Sequence, residues 1–245
     1  IPWQPIQWYH AVAPLILVVL TRFGVPVSTT FLVLSAFAST VVLEKVLMKS
    51  ALGYMVAAAA AYLIWMVVAK YWEAKTDIPK EHDKWWRVAQ WCTTGWLWFT
   101  WLSHDMANIA VYLPREVPME VMVLISIVFV GGMGYMFYEK GGKIQEVVLS
   151  KTNTKYVRSA TLVDLIYSLI LWYFKGYNDI PMSTTWVFVG LLAGRELAFA
   201  TITGKYKFKT VFPLIGKDFF KMMIGLSLSV VIVMLIHGFS GFANM

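Results

Sequence analysis

The stretch Pro26-Val27-Ser28-Thr29-Thr30-Phe31 recurs in nearly the same form as Pro181-Met182-Ser183-Thr184-Thr185-Trp186. In both copies a proline and one apolar residue precede Ser-Thr-Thr and an aromatic residue follows. The two serines are 155 positions apart (183 − 28). Proline before a Ser/Thr cluster that leads into an apolar run predicts the N-terminus of a helix. We therefore expect Ser28 and Ser183 to cap two helices.

Composition places these helices in a membrane. The chain has 245 residues, of which 59% are hydrophobic and 14% charged, with a mean hydropathy of +0.63. A soluble domain carries about 25% charged residues, so a soluble enzyme, a disordered chain and a nucleic-acid-binding domain are disfavoured. At about 20 residues per crossing, the length allows roughly six to eight spans. The net charge of +7 then reflects membrane topology rather than nucleic-acid binding.

Eight apolar segments follow one another along the chain, and we expect all of them to be helical. They span residues 6–20, 27–43, 47–68, 88–113, 117–138, 160–174, 182–203 and 219–239. Open strands cannot satisfy their backbone groups in lipid, and the period-two alternation of a barrel is absent. The predicted fold class is therefore an all-α, polytopic transmembrane helical bundle.

Lys and Arg concentrate in three connections, residues 70–87, 139–158 and 204–221, which the positive-inside rule makes cytoplasmic. This alternation requires residues 27–43 and 182–203 each to cross the membrane. Five crossings then separate the two serines, so the two copies point in opposite directions. That pattern is typical of inverted-topology repeats containing short half-helices. The resulting division is residues 1–72, the C-terminal part of a first repeat; 73–87, a cytoplasmic loop; and 88–245, the second repeat with its cytoplasmic loop 139–158.

The repeated turns have the chemistry of an anion site. The first turn of a helix has backbone N–H groups without intrahelical partners and carries partial positive charge. Two such turns from opposite sides can enclose a tetrahedral oxyanion. The binding groups would be the hydroxyls and helix-start N–H groups of Ser28, Thr29, Thr30, Ser183, Thr184 and Thr185. The alternative is that Ser-Thr-Thr only caps a helix.

A second group of polar residues, Ser103 to Asn108, interrupts the apolar segment 88–113. Asp105 and Asn108 are three residues apart and share a helix face, where they offer oxygen ligands to a hard cation such as Na⁺. The alternative is that Asp105 lies at the wet membrane edge. Arg195 and Glu196 interrupt segment 182–203, either as an ion pair or as the point where the segment leaves the membrane.

These motifs together resemble the inorganic phosphate transporter (PiT) family of cation-coupled phosphate permeases. Gly24 to Thr30 resembles the Ser-Thr-Thr motif of the first half. Ser103 to Ala110, and Ile180 to Thr185, resemble the two motifs of the second half. The resemblance covers most of the chain in order, and it implies phosphate as substrate with Na⁺ or H⁺ as the coupling ion.

The chain departs from the family pattern at several positions. Phe31 and Trp186 replace the histidine that follows Ser-Thr-Thr, and His104 replaces an asparagine. The Asp motif of the first half is missing. Asp105 precedes Ser183 by 78 residues (183 − 105), and the same spacing from Ser28 would place the missing motif about 50 residues before Ile1. We therefore expect that the N-terminal part of the first repeat is missing from the chain.

The leading hypothesis is a secondary-active transporter of inorganic phosphate or a similar oxyanion in a bacterial-type inner membrane. It would need no cofactor beyond the coupling ion and would bind no nucleic acid. Homodimer formation through Gly131-Gly132-Met133-Gly134 or residues 57–61 stays open, as do the choices of phosphate or sulfate and of Na⁺ or H⁺. The alternative is a non-transporting membrane subunit or scaffold that keeps the fold. An enzyme, such as a hydrolase using His104 and Asp105, is disfavoured because no nucleophile elbow or metalloprotease motif is present.

Overall fold

The computed structural model describes residues 5–23, 27–38, 40–68, 83–114, 116–139, 157–203 and 208–243, and every regular element in these ranges is a helix. A short 3₁₀ helix, Trp8–Ala11, precedes the first α-helix. The α-helices are α1 (Val12–Arg22), α2 (Thr29–Ser35), α3 (Thr40–Val68), α4 (Asp83–Ala110), α5 (Met119–Tyr138), α6 (Val157–Tyr177), α7 (Thr184–Thr203) and α8 (Phe208–Ala243).

Within the described residues, five helices are long and apolar enough to cross a membrane: α3, α5, α6, α7 and α8. A helix of 20 residues spans about 30 Å, the thickness of the hydrocarbon layer. Helix α4 has 28 residues but is more polar, and its first turns carry Lys84 and Arg87. All eight apolar segments overlap a helix. The prediction of an all-α, multi-pass bundle is thereby confirmed at this level.

Residues 27–43 do not form the single crossing that the sequence suggested. Helix α2 has seven residues and is about 10 Å long. It ends where the N–H groups of Phe37 and Ala38 both bond to the carbonyl of Leu34. Helix α3 begins at Thr40 and runs through residues 44–46, which hydropathy alone had left as a connection. Helix α2 is therefore a short half-helix, and it is not long enough to cross the membrane by itself.

The three basic connections are also shorter than predicted. Residues 83–87 form the first turns of α4, residues 157–158 begin α6, and residues 208–221 belong to α8. Lys, Arg and Glu are good helix formers, so charge alone does not mark where a helix starts. The remaining parts, residues 69–82, 140–156 and 204–207, lie outside the described residues, as does Pro26 of the first motif.

Helices α3 and α7 form the closest helix pair around the second motif. A Cβ atom at Gly190 or Gly194 of α7 would clash with the backbone carbonyls of Tyr54 or Ala58 on α3. Ala57 on α3 is fully buried on the same side. Small residues spaced four apart let two backbones approach without intervening side chains. This contact fixes where α7 begins relative to α3.

Helices α4 and α6 form the second close pair, and a common core joins them to α3 and α7. This core includes the large buried side chains of Trp65, Tyr167 and Phe174. The hydroxyl of Thr94 on α4 donates to Asp164 on α6, 2.5 Å away. The pair holds the polar segment of α4 against the start of α7.

Helix α5 stands apart, because none of its residues is buried against the described part of the chain. Gly131, Gly132 and Gly134 have open space where a side chain would lie. The close contacts that this glycine cluster permits are therefore not made within these residues. The alanines at positions 57 and 61, in contrast, pack inside the bundle.

Candidate functional site

Both Ser-Thr-Thr motifs begin a helix with the same cap. The Ser28 hydroxyl oxygen accepts from the backbone N–H of Phe31 at 3.2 Å. The Ser183 hydroxyl oxygen accepts from the N–H of Trp186, also at 3.2 Å. Both serines are buried, at 5% and 0% exposure. The predicted helix starts and caps are confirmed, and each serine O–H proton stays free to donate elsewhere.

The fold brings the two motifs into contact. The hydroxyl of Thr30 donates to the backbone carbonyl of Met182, the residue before Ser183, at 3.3 Å. The rings of Phe31 and Trp186 pack with their centroids 5.3 Å apart. Val46 of α3 belongs to the same apolar cluster. Two motifs 155 positions apart along the chain thus meet at the N-termini of α2 and α7.

Asp105 lies at the start of α7, next to the second motif. The Thr184 hydroxyl donates to a carboxylate oxygen of Asp105 at 3.2 Å and accepts from the indole N–H of Trp101 at 3.0 Å. The Tyr167 hydroxyl donates to the carbonyl of Thr184 at 2.8 Å. A carboxylate in this position is stabilised by the positive end of the helix dipole. The residues assigned to the cation and to the anion are therefore direct neighbours.

Asn108 completes this side of the site. Its side-chain N–H donates to the other carboxylate oxygen of Asp105 at 3.3 Å, which confirms that the two share a helix face. The side chain is 6% exposed, yet its carbonyl oxygen is buried without a hydrogen-bond partner among the described residues. Buried polar atoms are nearly always satisfied. In this rotamer the amide nitrogen faces Asp105, and a half-turn of the amide group would direct its oxygen to the carboxylate, where the two oxygens would suit a hard cation.

Each motif has one threonine hydroxyl with a protein partner and one without a partner among the described residues. Thr29 and Thr185 are half-buried, and neither side chain forms a hydrogen bond within the described ranges. Their hydroxyls are thus available to a ligand, whereas those of Thr30 and Thr184 are engaged by protein groups. The structure therefore brings the two motifs into one region. Of the six predicted hydroxyls, those of Thr29 and Thr185 form no hydrogen bond with the described residues.

The other polar residues of the sequence have local roles. His104 is buried, and its Nε2 lies 2.9 Å from the carbonyl of Leu171 on α6, a contact that locks α4 to α6. Arg195 forms an ion pair with Glu196 at 3.5 Å and lies over the ring of Phe199. Helix α7 continues to Thr203, so this ion pair does not end the helix. Among the described residues no group of three or more His, Cys, Asp or Glu side chains could hold a metal ion.

Lys49 and Ser50 were missed by the sequence reasoning. The Lys49 ammonium donates to the carbonyls of Asn178 and Ile180 and to the side-chain oxygen of Asn178. The Ser50 hydroxyl oxygen accepts from the backbone N–H of Ser183 at 2.8 Å. Both residues are buried. Hydropathy placed Lys49 near the start of the apolar segment 47–68 and gave it no role, and only helix packing brings it to the residues before the second motif.

Comparisons with protein-family models, with curated proteins and with solved structures found no match to this chain. The class that the fold defines is an integral, multi-pass helical membrane protein.

Proposed function

We propose that this protein is a secondary-active transporter of inorganic phosphate or a similar tetrahedral oxyanion, coupled to Na⁺ or H⁺, in a bacterial-type inner membrane. The observation that carries the proposal is the meeting of two capped Ser-Thr-Thr turns beside Asp105. Such turns supply N–H groups and hydroxyls to an anion without requiring a basic side chain. Thr29 and Thr185, whose hydroxyls have no protein partner in the described chain, are the first groups we assign to the anion.

The position of Asp105 provides the coupling. Its carboxylate is bonded to Thr184 at the first turn of α7, where it repels a second negative charge. A proton or a cation held by Asp105 and the unpaired oxygen of Asn108 removes this repulsion, so that each ion raises the affinity for the other. The proposed cation ligands are therefore Asp105 and Asn108, with the Thr184 hydroxyl as a third oxygen.

An inverted arrangement of two repeats is part of the proposal. Phe31 and Trp186 occupy equivalent positions in the two motifs, and their rings are in contact. A contact between equivalent positions is what a two-fold relation between repeats produces at its axis. Alternating access would then come from one repeat moving against the other around this point.

The test is calorimetric titration of phosphate into the purified full-length gene product, with and without Na⁺ and over a range of pH. We expect binding that strengthens with Na⁺ or with protonation, and that the Asp105→Asn variant loses this dependence. Asp164→Asn is the matched control, because Asp164 is also half-buried between α4 and α6 and bonded to a threonine. Unchanged cation or proton dependence in Asp105→Asn would contradict the assignment.

The second candidate function is a non-transporting membrane subunit that keeps the fold. The observation in its favour is the packing of Phe31 against Trp186, where the resemblance implies histidines, together with the protein-bound hydroxyls of Thr30 and Thr184. Folded protein that binds neither phosphate nor sulfate, and that copurifies in a fixed ratio with another membrane protein, would support this function instead.

A further inference from the structure

Lys49 is a buried cation whose partners are all neutral. It lies in the third turn of α3 with 5% of its surface exposed. Its ammonium lies 2.7 Å from the Asn178 side-chain oxygen, 3.0 Å from the Asn178 carbonyl and 2.6 Å from the Ile180 carbonyl. These three acceptors use all three N–H groups of the ammonium.

The positive charge of Lys49 has no carboxylate within ion-pair distance among the described residues. Asp179, which is exposed and lies between the two residues that Lys49 contacts, favours the ammonium form, and Lys175 opposes it. Burying an ammonium without a counter-charge is unfavourable, and such residues within membrane helices usually serve a function.

The contacts of Lys49 are to the segment that precedes the second motif. Lys49 holds residues 178–180, the segment that leads into α7, while its neighbour Ser50 accepts from the N–H of Ser183. Two consecutive residues of α3 thus fix the segment that positions Ser183, Thr184 and Thr185. The positive end of the α7 dipole and the ammonium then act in the same region.

We propose that Lys49 is the fixed positive counter-charge of the oxyanion site and the residue that positions its second Ser-Thr-Thr turn. Because its N–H groups are all taken, Lys49 acts through its field and through the turn, without touching the anion. This inference rests on the proposed function, and it adds the source of positive charge that the hydroxyls and N–H groups lack.

The experiment measures phosphate affinity of the purified full-length protein by calorimetry, at fixed Na⁺ concentration. Lys49→Gln keeps a hydrogen-bond donor but removes the charge, and Lys49→Arg keeps the charge. Lys45→Gln is the matched control, because Lys45 lies one turn earlier on the same helix and is exposed. We expect Lys49→Gln to weaken phosphate binding by about tenfold or more, while Lys49→Arg and Lys45→Gln stay within about threefold of the parent.

The results distinguish a failure of the role assigned to Lys49 from a failure of the proposed function. If the parent protein binds phosphate and Lys49→Gln binds it equally well, the role of Lys49 is wrong and the proposed function stands. Equal losses in Lys49→Gln and Lys49→Arg, with thermal unfolding showing that both are folded, would also overturn the counter-charge role. If the parent protein binds no oxyanion, the proposed function and this inference fail together.

Discussion

Ser28 and Ser183 perform the same local task in different surroundings. Each accepts from the backbone N–H three residues ahead, and the sequence alone was sufficient to predict both caps. What differs is which threonine has a partner: Thr30, the second threonine of the first motif, reaches the carbonyl of Met182, whereas Thr184, the first threonine of the second motif, reaches Asp105. Identical tripeptides therefore acquire different partners, because the partners come from other helices.

Loss of the second cap is expected to destabilise the protein. Replacing Ser183 by Ala removes an acceptor for the Trp186 N–H and should lower the free energy of unfolding by about 1 kcal/mol. Ser126→Ala is the control, since the Ser126 hydroxyl bonds to the Met122 carbonyl within exposed α5. The unfolding temperature of each variant is measured in detergent. Equal unfolding temperatures for Ser183→Ala and Ser126→Ala would contradict the capping role.

Asn108 gives a more specific prediction for the cation. Asn108→Ala removes an amide oxygen that has no protein partner in the described ranges, together with the N–H that donates to Asp105, so a loss of about 1 kcal/mol of stability is expected. The Na⁺ concentration needed for half-maximal phosphate binding should rise severalfold, because a cation would lose one oxygen ligand. Thr93→Ala, on the same helix, serves as control. A large loss of stability without any change in the Na⁺ requirement would show that Asn108 is structural.

Helix ends and helix contacts were harder to predict than helix existence. The sequence indicated every apolar segment, but α3 begins earlier and α4 and α8 include more of the basic residues than hydropathy suggested. Glu44 and Lys45 show the reason. They interrupt the hydropathy profile, yet both are exposed and both are good helix formers, so α3 runs through them.

The close approach of α3 and α7 makes a prediction about glycine. Gly194→Ala should destabilise the protein by about 1–3 kcal/mol, because the new methyl group would meet the carbonyl of Ala58. Gly95→Ala on α4 is the control: its methyl group would meet open space, and alanine is the better helix former. We expect Gly194→Ala to lower the unfolding temperature and Gly95→Ala to raise it. An unchanged unfolding temperature in Gly194→Ala would mean that α3 and α7 are further apart.

Topology is a property of the whole molecule, and thiol labelling tests it. Cys92 is the only cysteine, so a Cys92→Ser background accepts single cysteines at chosen sites. A membrane-impermeant thiol reagent added to intact cells should label a cysteine at position 116. It should label one at position 148 only after the cytoplasmic face is opened, because residues 139–158 are rich in lysine. The reverse pattern would contradict the predicted orientation.

By itself the sequence determined the class, because 59% hydrophobic composition leaves too little polar surface for a soluble chain. It also determined both caps, which depend on residues three positions apart, and the shared face of Asp105 and Asn108. Only the tertiary structure decided that the two Ser-Thr-Thr turns meet, that Asp105 bonds to Thr184, and that Lys49 holds the second turn. These contacts join residues 79 to 152 positions apart, and such partners are set by how helices pack rather than by local spacing.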